Sequence, residues 1–334
     1  KVDKKFLDQV LNEESYYLSF ANEIEFYAGF ERRDFDSIRV VFQKTKQIFT
    51  PLLSNERYEQ VDEQLKLETS NWRINTEDAE VIFEEVQKDS YDKNEELMVS
   101  NDDLIISSGV EEKVYYDSIE PTIENLEKAL FILSRVFRNS DVCDEKPLGD
   151  EILNFILTGT CNMGFCFSEQ ITKEIESKNV NDNLKDAINI VSGYIPLVMQ
   201  ATLFEAISQY NLTAVLEDKL EELSQDVESN QYKYFIIAFI LMDLNMGRYS
   251  YLLDNLREYI TIPVLRYMCH SKCLLMMLKN PENKELNKPY RQLAIDFNQE
   301  FKNKDEAALV IDDVVRQQKR RDNQERISIE NDYK

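Results

Sequence analysis

Glycine and proline are scarce in this chain, since each occurs only 7 times among 334 residues. β-Sandwiches, barrels and doubly wound sheets need these residues at many of their turns. Their scarcity argues against all of these fold classes and favours helices joined by short loops. Hydrophobic residues make up 43% of the chain, which is enough to bury a substantial core.

Long apolar runs are missing as well. The most apolar stretch, residues 234–242 (YFIIAFILM), is about half the ~20 residues that a membrane-spanning helix requires. We interpret this stretch as part of a core, and we expect no membrane span.

Histidine and cysteine, which supply many catalytic and metal sites, are few. His270 is the only histidine, so the chain cannot form a site with two histidine ligands and has at most one histidine general base. The 5 cysteines are an odd number and are scattered along the chain, which does not fit a disulfide framework. This usage predicts a reducing compartment, and hence a cytoplasmic or nuclear location or both.

The charge of the chain is strongly one-sided. Against 39 basic residues there are 63 acidic ones, which gives a formal net charge of −24. Such a chain repels phosphate backbones and anionic lipid headgroups, so nucleic acid and membranes are disfavoured as direct partners. Residues 302–334 contain equal numbers of basic and acidic side chains, so the acidic excess belongs to the body of the chain.

Apolar residues recur at i, i+3, i+4 and i+7 along most of the chain, which is typical of amphipathic helices. The pattern predicts helices at roughly 4–30, 35–49, 55–67, from 76, 121–137, 148–157, 168–178, 182–192, 196–210, 212–228, 231–246, 249–260, 263–279, 288–302 and 305–332. Strand-like alternation bounded by hairpin turns does not occur. We therefore predict an all-α fold in which antiparallel helical hairpins form an irregular α-solenoid or a multi-helix bundle.

The helical pattern fails between Asp89 and Ser118, where polar residues interrupt the apolar ones. This break divides the chain into predicted segments: N-terminal helical hairpins at 1–88, a linker or long loop at 89–118, a main helical domain at 119–302 and a C-terminal projecting helix or tail at 303–334.

Two nearby glycines, Gly159 and Gly164, have the spacing of a phosphate-binding loop. Phe165 and Cys166 stand where such a loop needs Lys and Ser or Thr, so we do not predict a nucleotide site. We expect a bend or helix junction here, with glycine permitting a close approach between helices.

The run Cys269-His270-Ser271-Lys272-Cys273 contains zinc-ligand types, with both cysteines on one helical face. A zinc site needs more ligands, and Cys161 and Cys166 could supply them only if the fold brings these distant segments together. We interpret the cysteines as small apolar residues of a buried helix, because cysteine is among the most buried residue types. Neither a metal nor another cofactor is predicted.

A basic cluster lies in the last segment and contains Arg316, Lys319, Arg320, Arg321 and Arg326. Such a cluster is a candidate partner-binding face or localisation signal. Acidic residues between the cations favour the simpler interpretation of a solvated helix end.

These features predict a non-catalytic helical scaffold or adaptor subunit of an intracellular multiprotein complex, which presents an acidic surface to a basic protein or peptide. The alternative is a helical regulator of an enzyme such as a small GTPase or phosphatase, acting through an exposed arginine or asparagine in a loop. The arginines at predicted turns are Arg32, Arg33 and Arg248. A third hypothesis is an enzyme that uses cysteine or acidic residues.

Overall fold

A computed structural model describes residues 18–68, 119–177, 212–279 and 283–298, together with residues 200, 203, 311 and 316. Its α-helices are α1 Ala21–Phe30, α2 Phe35–Phe49, α3 Asn55–Glu59, α4 Val61–Glu68, α5 Ile123–Asn139, α6 Lys146–Ser177, α7 Thr213–Ser224, α8 Gln231–Leu244, α9 Met246–Tyr249, α10 Leu252–Tyr259, α11 Pro263–Lys279 and α12 Lys284–Phe297. No strand occurs in these residues. The prediction of an all-α fold is confirmed, whereas the hairpin arrangement and the choice between solenoid and bundle stay predictions.

The chain forms two compact units. Unit 1 comprises Lys1–Glu68 and Glu112–Tyr249, and unit 2 comprises Thr69–Glu111 and Ser250–Lys334. The predicted linker at 89–118, the helices predicted from 76, at 182–192 and in most of 196–210, and most of the tail at 303–334 lie outside the described residues. The division of the chain into four segments stays a prediction.

Helix α5 is the centre of unit 1, and α1, α2 and α6 pack against it. Its N-terminus is capped by Thr122, whose hydroxyl accepts a hydrogen bond from the backbone N–H of Asn125 at 3.2 Å. One face of the helix is apolar at i, i+3, i+4 and i+7 spacing, so burying that face drives the packing. Its buried residues are Leu126, Ala129, Leu130, Ile132, Leu133, Ser134, Val136 and Phe137.

Helix α6 runs unbroken for 32 residues. The helix junction predicted at Gly159 and Gly164, and a separate helix at 168–178, are therefore wrong. The predicted close approach at Gly159 is confirmed, because a Cβ atom there would lie 2.8 Å from Leu130 Cδ2 on α5. Glycine is present here to admit a neighbouring side chain, and the packing of α6 on α5 stabilises it inside a helix.

Helices α3 and α4 replace the single helix predicted at 55–67, with a break at Gln60. Ser54 caps α3, and Asn162 of α6 bonds to both backbone groups of Ser54 at 3.1 Å. Asp62, in the first turn of α4, accepts hydrogen bonds from the N-terminus of α8. The break allows α3 to pack on α6 and α4 to bind the start of α8. Contacts between helices so distant in sequence cannot be seen in the local apolar pattern.

Helix α8 contains the apolar run at 234–242 and is buried around most of its circumference. A helix that is apolar on every face belongs in a core, as predicted for this run. None of the helices in the described ranges is both long enough and apolar enough to cross a membrane.

Unit 2 contains α10, α11 and α12, which pack against one another. Arg266 of α11 donates to the carbonyl oxygens of Ile260 at 2.9 Å and Asp296 at 2.6 Å, and its guanidinium lies 5.4 Å from the ring centre of Phe297. This one side chain thus ties α11 to the ends of α10 and α12. Helix α12 begins at Lys284, earlier than the 288–302 predicted.

Candidate functional site

A cleft of about 510 Å³ opens in unit 1 between α6 and α7. Its lining includes Asp150, Leu153 and Asn154 of α6, and Val215, Asp218 and Glu222 of α7. Leu153 is buried and Val215 is half-buried, whereas the three acidic side chains at the rim are exposed. These are Asp150, Asp218 and Glu222. The cleft therefore combines an apolar floor with carboxylates on both walls.

A tight 3₁₀ turn, Val142–Asp144, shapes one end of the cleft by packing on the start of α6. Gly149 makes this contact possible, because a Cβ atom there would lie 3.1 Å from the carbonyl oxygen of Val142. The turn brings Cys143 to the cleft wall. Local backbone packing thus fixes where the first charged residues of α6 lie.

The cations of the cleft are already engaged by carboxylates. Lys146 pairs with Asp218 at 3.5 Å, and Lys219 pairs with Glu222 at 2.9 Å. Asp150 has no ion pair with any other residue in the described part of the chain. One carboxylate is left to meet an incoming positive charge.

The pKa of the Cys143 thiol reflects the burial and the negative charge of this wall. Burial is the main cause that raises its pKa to about 11, and the nearby carboxylates of Asp144 and Asp150 contribute to the same increase. At neutral pH this thiol is protonated, so it is a poor nucleophile. The cleft is suited to binding a cation and unsuited to thiolate chemistry.

The three arginines proposed for a regulator all lie in unit 1 and form ion pairs. Arg32 pairs with Asp141 at 2.6 Å, and Arg33 pairs with Asp144 at 3.3 Å. Arg248 pairs with Glu217 at 2.7 Å. The regulator hypothesis stays a prediction, and a single Arg→Ala change that abolishes partner turnover while leaving binding intact is its discriminating result.

The zinc-ligand candidates Cys269, His270 and Cys273 lie on α11 and are buried. His270 Nδ1 lies 2.8 Å from the carbonyl oxygen of Ala294 on α12, so this ring joins two helices. Burial raises the pKa of both cysteine thiols well above the ordinary value. Cys161 and Cys166 lie on α6 of unit 1, and no group of three His, Cys, Asp or Glu residues within the described ranges is arranged to hold a metal ion.

His270 gives a direct test, because the only histidine yields the only imidazole NMR signals. Burial lowers its pKa, and the bond to Ala294 opposes this only in part. The folded state favours the neutral ring, so its stabilising contribution is present above the ordinary pKa and is lost as pH falls through the lowered one. We expect the ¹H–¹³C imidazole signals at pH ~6.5 to have the chemical shifts of a neutral ring, and we expect added zinc to leave these shifts unchanged. A midpoint at or above pH ~6.5, or a zinc-induced shift, would show an accessible ring.

A buried polar cluster in unit 1 was missed by sequence reasoning. The carboxylate of Asp62 accepts the backbone N–H groups of Gln231 at 2.6 Å and Tyr232 at 2.8 Å, at the start of α8. The Tyr232 hydroxyl bonds to Gln200 Oε1 and to Cys161. Asp62 lies at i, i+4 and i+7 spacing with Tyr58 and Leu65, on the apolar face of the predicted helix. An acidic residue on an apolar face is the sequence signal that could have revealed this cluster.

The charged residues beside this cluster hold α3 against α8. Lys233 pairs with Glu59 at 2.6 Å and lies 4.7 Å from the ring centre of Tyr58. Burial raises the pKa of Tyr58, Tyr232 and Asp62 above their ordinary values. Perturbed groups often mark active sites, but these side chains are enclosed, so their role is to join helices.

The basic cluster of the last segment is described only in part. Arg316 is exposed, whereas Lys319, Arg320, Arg321 and Arg326 lie outside the described residues. Its role as a partner-binding face stays a prediction.

No protein-family model, curated protein or solved structure matches this chain.

Proposed function

We propose that this protein is a non-catalytic helical scaffold or adaptor subunit of an intracellular complex in the cytoplasm or nucleus, and that it presents an acidic surface to a basic protein or peptide. The observation that carries the proposal is the cleft between α6 and α7, in which both lysines form ion pairs, whereas Asp150 forms none with any residue that the structure describes.

The chemistry of the cleft favours a lysine or arginine side chain as its occupant. These side chains lay their methylene groups on apolar surface and keep the charged end in water. Leu153 and Val215 offer that surface, and Asp150 offers a carboxylate at the rim. An acidic side chain in the same place would be repelled by Asp150 and would leave the charge of Asp150 unpaired.

The charge balance of the whole chain supports the same partner. A net charge of −24 speeds encounter with a positively charged protein and suppresses association with acidic ones. Many cations of unit 1 are occupied in ion pairs within the chain, among them Arg39 with Glu145, Lys46 with Glu151 and Arg57 with Glu169. The surplus carboxylates are thus left to act on partners.

The non-catalytic part of the proposal rests on the supply of chemical groups. The only histidine is buried and bonded to a backbone carbonyl, and burial keeps Cys161, Cys269 and Cys273 as thiols. General-base and thiolate mechanisms need accessible groups with pKa values near neutrality.

Affinity purification of the tagged full chain from its native cells tests the proposal at two salt concentrations. We expect a stoichiometric partner at low salt, rich in lysine and arginine on the contacting surface. Salt at ~1 M shortens the Debye length to ~3 Å, so the partner should be largely released there. Recovery of a lone monomer at low salt, or of an acidic partner unaffected by salt, would contradict the proposal.

A further inference from the structure

We draw no further inference here: the strongest candidate, the exposed Phe26 and Phe30 side chains of α1 with the shallow groove that they form beside Asn22 and Gly29 in unit 1, is an unpartnered apolar face, and nothing in the structure shows what covers it.

Discussion

Replacing Asp62 with alanine is expected to lower the free energy of unfolding by about 2–4 kcal/mol. The carboxylate accepts two backbone N–H groups in the first turn of α8, and alanine removes this acceptor from a buried helix end. Urea unfolding followed by far-ultraviolet circular dichroism, which reports helix content, measures the change. Glu63→Ala is the matched control, because Glu63 is the exposed neighbour of Asp62 and should change stability by less than ~0.5 kcal/mol.

The Asp62→Asn variant separates the cap from the charge. Burial is the main cause of the raised pKa of Asp62, so the folded state binds this proton more tightly than the unfolded state. The contribution of this group to stability is therefore fully present below the unfolded pKa of ~3.9 and is lost as pH rises through the raised value. As pH rises through the raised pKa, we expect the free energy of unfolding of the wild-type protein to fall relative to that of Asp62→Asn. A difference that grows in the opposite direction, or an Asp62→Ala variant as stable as the Glu63→Ala control, would contradict the assigned role.

Replacing Gly159 with valine is expected to destabilise unit 1 by about 1–3 kcal/mol. The new Cβ would lie 2.8 Å from Leu130 Cδ2, and Leu130 is fully buried on α5, so neighbouring side chains must shift. The branched side chain adds atoms to a site that already lacks room for one. The midpoint of thermal unfolding measures the loss.

Gly29→Ala is the control for this experiment. A Cβ at Gly29 would meet Asn139 Cβ at 3.6 Å, which is ordinary contact, and the residue lies inside α1. Alanine there should raise stability by about 0.5–1 kcal/mol through its helix propensity. If Gly159→Val and Gly29→Ala behave alike, α5 and α6 do not approach as closely as the structure shows.

The helical class of this fold could be predicted because it depends on local composition. The scarcity of glycine and proline and the 3.6-residue apolar period both indicate helix along most of the chain. The predicted bounds of α11, Pro263–Lys279, and the predicted start of α2 at Phe35 match the structure. Each of these helices has a local start signal, because Asp34 caps the N-terminus of α2 and Pro263 is the first residue of α11.

The break between α3 and α4 and the continuity of α6 could not be predicted, because their causes are distant in sequence. Asp62 accepts a hydrogen bond from the backbone N–H of Gln231, which is 169 residues away in the sequence. Gly159 is explained by Leu130 of α5, and a glycine in an isolated sequence indicates a turn as readily as a contact.

The cleft was beyond sequence reasoning for a similar reason. Its carboxylates come from two helices, and Asp150 becomes distinctive only when Asp218 and Glu222 are seen to bind the two lysines. Among 63 acidic residues, the sequence offers no basis for selecting these. An acidic partner-binding surface is predicted from the net charge of the whole chain, and the proposal that it lies at this cleft depends on the fold.

Charge reversal in the cleft is the sharpest test of the proposal that a basic partner binds between α6 and α7. The variant Asp150→Lys/Asp218→Lys/Glu222→Lys is compared with Glu63→Lys/Glu120→Lys/Glu127→Lys, whose residues are exposed in unit 1, lie outside the cleft and change the net charge equally. With circular dichroism confirming that both fold, affinity for the co-purified basic partner is measured at low salt. We expect the cleft variant to lose affinity at least tenfold, or ~1.4 kcal/mol, and the control to bind nearly as tightly as the wild-type protein. Equal binding by both variants, or equal loss in both, would contradict the proposal.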